Sequence, residues 1–87
     1  MSARFAELRL LIAATDARLV AEVNHRLMLV EELWSLKREL GLERLDSDRE
    51  HRLREELAAA NHGPLSAEGL EELVTAVLDL TKRELAP

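Results

Sequence analysis

The chain has 87 residues, with 12 Lys and Arg against 17 Asp and Glu, a formal net charge of −5 and no cysteine. That length suits a single domain over residues 1–87, and no disulfide or thiolate zinc site can support its core. The acidic balance argues against a nucleic-acid backbone or an anionic membrane as the main partner, and Phe5 and Trp34 are the only aromatics available for base stacking.

Leucine supplies 19 of the 87 residues, against three Gly and two Pro, a composition that reads as all-α. The first Gly is Gly41 and the first Pro is Pro64, so a first helix is predicted over about residues 3–40, with Ser2 as its cap. Along it Phe5, Leu8, Ile12, Leu19, Val23, Val30, Leu33 and Leu40 recur at helical spacings, the mark of one long amphipathic helix. Gly41-Leu42 fits a C-cap, and Asp46, Ser47 or Asp48 can cap a second helix over about 47–60. Asn61-His62-Gly63-Pro64 is a stop, after which Ser66 opens a third helix over about 66–85. No apolar run approaches the roughly 18 residues of a membrane span, and the N-terminus lacks a signal-peptide core, so the cytoplasm is the expected compartment.

The first helix is long for this chain. About 38 residues at about 1.5 Å each make roughly 57 Å, whereas a compact chain of this length is roughly 31 Å across. Its apolar stripe outruns what one globule can enclose, which predicts an intertwined or coiled-coil-like homodimer. An extended helical hairpin monomer is the alternative.

At about 100° per residue, Leu8, Ile12, Leu19, Val30 and Leu33 share a sector of roughly 60–120°, and Arg26 and Lys37 fall inside it. Long side chains can snorkel from such a stripe to water. Two cations in line with the core point instead to a shared anionic partner, because an unpaired buried charge costs several kcal/mol. That partner is either internal, from Asp46, Asp48 and Glu50, or a small anion with two carboxylates or phosphates, with Arg49 adding a third cation. Among weaker candidates, His25 falls on the far face, and His51 and His62 lack metal-ligand spacing, so neither a metal nor a cofactor is expected. Neither a Gly-rich phosphate loop nor a nucleophile elbow is found.

Taken in order, these residues resemble the all-helical chorismate mutase family. A Leu-Arg-x-x-Ile-x-x-x-Asp segment is matched by Leu8, Arg9, Ile12 and Asp16, then come Arg26, Lys37 eleven residues later, and Asp46, Arg49 and Glu50 in LDSDRE. The resemblance implies a homodimer whose long helices each contribute to two active sites, and a pericyclic rearrangement of chorismate to prephenate on the route to Phe and Tyr. It implies no nucleophile, metal or cofactor. Residue by residue, Arg9 would reach a substrate carboxylate from the other subunit, Arg26 would bind a carboxylate, and Lys37 would meet the ether oxygen. Asp46 and Glu50 would receive the ring hydroxyl, with Arg49 supporting the substrate or those acids. Asp16 is expected to be structural.

The third helix departs from the family pattern. Thr81 matches a small residue of the signature, but the Gln or Glu expected four residues later falls on Leu85, which cannot donate to the ether oxygen. Glu84 is adjacent, at about 120° on the wheel near Leu73 and Val77, and is the candidate donor; it would donate only when protonated, so activity would increase towards acidic pH. Otherwise the donor is absent and the free protein is a poor catalyst, which would fit docking on the first enzyme of the shikimate pathway, as some short members of the family do. The resemblance leaves three other functions open: isochorismate–pyruvate lyase, aminodeoxychorismate mutase, or a noncatalytic metabolite-binding module that regulates a shikimate-pathway enzyme.

Overall fold

Local chemistry sets where each helix begins and ends. The computed structural model describes residues 2–86, which form three α-helices with no strand among them: α1 (Ala3–Glu39), α2 (Ser47–Ala60) and α3 (Ala67–Glu84). The Ser2 hydroxyl accepts from the Phe5 amide at 3.2 Å and so satisfies one orphan donor of the first turn of α1. At the other end Gly41 takes φ +71°, the left-handed conformation that glycine adopts without a Cβ penalty. Leu42 N–H then donates to Lys37 O at 2.8 Å and Gly41 N–H to Arg38 O at 3.3 Å, the paired bonds of a Schellman stop.

Of the three residues able to cap α2, Asp46 does so, its carboxylate accepting from Arg49 N–H at 3.1 Å. Asp48 and Glu50 follow in the first turn, where the helix dipole favours anions. Ser66 caps α3 by accepting from Gly69 N–H at 3.0 Å, and Lys82 and Arg83 occupy the last turn. Ser66 and Leu85 are therefore caps, and α3 is one residue shorter at each end than its sequence pattern predicts.

Internal contacts divide the chain into a unit ending at Leu33 and a unit beginning at Trp34, a boundary that falls inside α1. In the first unit the apolar line is bare over its N-terminal half: Phe5 and Leu8 are 42% exposed, Ile12 and Leu19 59%. Partial cover begins at Val23 and includes Arg26, Leu27 and Val30. The single stripe read from the sequence is also too simple. Leu10 and Met28, 73% and 70% exposed, both fall near 280° on the wheel, opposite Leu8 and Leu19. α1 is apolar on more than one face.

The second unit holds the buried side chains of the described residues: Trp34, Val74, Leu78 and Thr81. Val74, Leu78 and Thr81 lie four and three residues apart, so they form one line along α3. Trp34, placed at the edge of the stripe by its wheel angle, is core. α2 and α3 run in opposite directions: Glu50 early in α2 meets Lys82 late in α3, while Arg54 reaches Glu71 and Thr75. No helix among the described residues is long and apolar enough to cross a membrane.

Gly41 has no atom within 4 Å of where a Cβ would stand, so its value is purely conformational. Gly41→Ala is expected to lower the urea-unfolding free energy by about 1 kcal/mol, an unchanged midpoint showing that another residue terminates α1.

Candidate functional site

The cations singled out from the sequence fall in both units. In the first, the Arg9 guanidinium lies over the Phe5 ring, 4.9 Å from its centroid. A one-turn spacing brings the two together, and at an exposed site such a contact is worth about 0.5–1 kcal/mol. Arg9 borders a shallow groove on the α1 surface with Phe5, Leu8, Ile12, Ala13 and Asp16, so an apolar floor is flanked by one cation and one carboxylate. Arg26 is half-buried, three residues after the half-buried Val23 and four before the half-buried Val30. His25 on the far face is exposed.

In the second unit Lys37 is also half-buried, and its Nζ donates to the backbone carbonyl of Arg44 at 3.2 Å. Arg44 belongs to the connection between α1 and α2, and its guanidinium lies 4.7 Å from the centroid of the buried Trp34 ring. The indole face anchors the connection, and the connection's carbonyl in turn orients Lys37. The amine keeps two further protons for another acceptor, since a lysine carries three donors.

Glu50 pairs with Lys82 at 3.2 Å, the two side chains being 31% and 39% exposed. Asp46 is committed by one carboxylate oxygen to the Arg49 amide, which fixes it at the head of α2. The Arg49 guanidinium runs along α2 to Glu56 at 3.5 Å, an exposed and therefore weak pair. Arg54 ties α2 to α3 through Glu71 and, at 3.3 Å, the Thr75 hydroxyl. Thr81 is buried and donates to Val77 O at 2.7 Å, the back-bond by which a helical threonine satisfies its hydroxyl.

One sequence alternative narrows and one expectation changes. Of the two partners left open for Lys37, the internal acids do not bond it among the described contacts: its amine donates to a neutral carbonyl, and Glu50 takes its cation from α3. Glu84, expected to face inward, is exposed, whereas Leu85 is half-buried and caps the helix by donating its N–H to Thr81 O at 3.0 Å. The reason is angular: the covered line runs through Val74, Leu78, Thr81 and Leu85, near 200° on the wheel, and Glu84 sits about 80° to its side with the exposed Leu73. Sequence reasoning missed Arg44 and Lys82. Lys82 had a signal, one residue from Thr81 and four from Leu78, but its place in the last turn of α3 accounted for it as a dipole partner.

Comparison with protein families matches residues 8–84 to the family described as chorismate mutase type II. The chain belongs to that family. The matched span takes in Arg9, Arg26, Lys37, Asp46, Arg49, Glu50, Thr81 and Glu84, and it covers α2 and α3 whole and α1 from Leu8 onward. The comparison with curated proteins returned no match. Membership in the chorismate mutase type II family gives the half-buried cations of α1 a chemical context, a dianionic substrate, without naming which member of the chemistry this chain performs.

Asp46 carries both a structural and a candidate chemical role, and two substitutions separate them. Asp46→Ala is expected to cost about 1 kcal/mol in denaturant unfolding, whereas Asp46→Asn keeps the cap within a few tenths. An equal loss in both variants would mean that charge, and not capping, stabilises the head of α2.

Proposed function

We propose that the protein is a chorismate mutase, an intramolecular isomerase that converts chorismate to prephenate in aromatic amino-acid biosynthesis in the cytoplasm. The observation that carries the reading is the family match over residues 8–84, together with the half-buried placement of Arg26 and Lys37 on α1. In the reaction an ether C–O bond breaks as a C–C bond forms within one molecule, so no proton, electron or group has to be supplied from outside. Catalysis consists of holding the dianion in its compact reactive conformer and stabilising the charge that grows on the ether oxygen.

Arg26 binds one carboxylate, in keeping with its guanidinium fork. Lys37 turns its remaining protons to the ether oxygen, already aimed by the Arg44 carbonyl. Asp46 and Glu50 receive the ring hydroxyl at the head of α2, and Arg49 supports them. Thr81 contributes to the substrate pocket from α3. Arg9 comes from a second copy of the chain. A homodimer is supported by the bare line of Phe5, Leu8, Ile12 and Leu19, where each Leu-sized side chain gains about 1.5–3 kcal/mol on full burial.

The α3 donor to the ether oxygen is assigned to Glu84, whose exposure in the single chain leaves it free to turn. The second reading, favoured by the half-buried Leu85 in the covered line, is a slow free enzyme completed by docking on the first enzyme of the shikimate pathway.

Loss of chorismate absorbance with prephenate identified as product tests the reading, and no turnover with or without that partner defeats it. Arg26→Ala and Lys37→Ala should each reduce kcat/KM by at least about 100-fold with the helical circular dichroism retained. Glu84→Ala is expected to lower kcat by about tenfold; unchanged turnover, with a gain in Leu85→Gln, assigns the absent donor instead. In light scattering the native mass should be twice that of the chain, and Ile12→Glu should shift it to monomer.

A further inference from the structure

Among the described residues, Lys82 on α3 reaches a residue of the proposed site, Glu50, and its place in the last turn does not account for that contact. Its Nζ stands 3.2 Å from Glu50 Oε1, across the α2–α3 contact, with both side chains about two-thirds covered. The pair is interhelical, and its two members come from the first turn of α2 and the last turn of α3. The helix-dipole account of Lys82 would be served equally by a lysine pointing to water. Contact with Glu50 is a separate fact.

We propose that Lys82 determines substrate specificity by neutralising the Glu50 carboxylate, so that the site accepts a ring hydroxyl and rejects a ring ammonium at the same carbon. The inference rests on the chorismate mutase reading, in which Asp46 and Glu50 receive that substituent. Two carboxylates together would attract a cationic amine more strongly than a neutral hydroxyl. Lys82 removes the net charge of one of them. It also places a fixed positive charge within hydrogen-bond distance of the group that the amine would have to contact, and like charges at such separations repel even when partly exposed to water. Glu50 keeps free lone pairs for the hydroxyl proton, because a carboxylate offers about four acceptor positions and Lys82 uses one. Asp46, with one oxygen bonded to the neutral Arg49 amide, keeps its charge, so the discrimination rests on the loss of one of the two carboxylate attractions and on the repulsion from Lys82. Lys82 thus discriminates by a repulsive element, as selective sites commonly do.

The test compares kcat/KM for chorismate and for its analogue with an amine in place of the ring hydroxyl. Where the analogue is not turned over, its inhibition constant against chorismate replaces its kcat/KM. The native protein should prefer chorismate, Lys82→Gln should shift the ratio towards the amine by about tenfold, the effect of one half-buried ion pair, and Lys82→Glu should shift it further. Lys82→Arg should hold the ratio within about twofold, because it restores the charge. In a Glu50→Gln background the Lys82→Gln change should no longer move the ratio, which a mere brace between helices would not explain. An unchanged ratio in Lys82→Gln and Lys82→Glu, including equal losses on both substrates, overturns the proposal while leaving the mutase reading intact. Failure of the native protein to convert chorismate at all overturns that reading instead, and the two failures are distinguishable.

Discussion

The strongest physical constraint on the chain is the exposed apolar surface of α1. A helix of 37 residues carries Phe5, Leu8, Ile12 and Leu19 in one line, and none of them is buried by its own chain. Exposed leucines scattered singly require no explanation, but a continuous line of them on a helix free of Gly and Pro does. Burial of such a line is the strongest force available to a chain whose buried apolar side chains, among the described residues, are Trp34, Val74 and Leu78. A core that small cannot offset much conformational entropy. In the proposed dimer, association through α1 and folding would draw on the same hydrophobic term, the interface gaining what one chain lacks in its interior.

The same helix carries two of the half-buried cations of this acidic chain. Arg26 in the first unit and Lys37 in the second are each half-buried, and long cationic side chains so placed can lay their stems on apolar surface while the head stays near water. Charges in that position interact more strongly with a carboxylate than they would at the surface. The remaining cations near the head of α2 are held in specific geometry: Arg44 by the Trp34 face, and Lys82 by Glu50. Under the proposed mutase reading, catalysis would draw on preorganised charge, and these contacts would supply it.

Much of this was legible in the sequence. The breaker-free run up to Gly41, the Ser66 cap, a cap for α2 within Asp46-Ser47-Asp48 and the breaker at Gly63-Pro64 follow from backbone chemistry that acts within a few residues. The angular position of Arg26 and Lys37 was equally legible, since it depends only on helical pitch. Less legible was the covered face of α3. Glu84 and Leu85 differ by one residue and by about 100°, and which of them faces inward depends on how α3 rolls against its neighbours. The apolar residues opposite the main stripe of α1, Leu10 and Met28, were visible in the sequence, but fell outside a search for one period.

By itself the sequence determined the three helices, their ends and the face of α1 that carries the cations, because caps, breakers and periodicity are local properties of the backbone. Only the tertiary structure decided the partners: Lys37 with the Arg44 carbonyl, Arg44 with Trp34, Glu50 with Lys82, and Thr81 in place of Glu84 on the covered line of α3. Those contacts join residues 7–32 positions apart in the chain, and helical pitch sets the direction in which a side chain leaves its own helix but carries no information about what stands opposite.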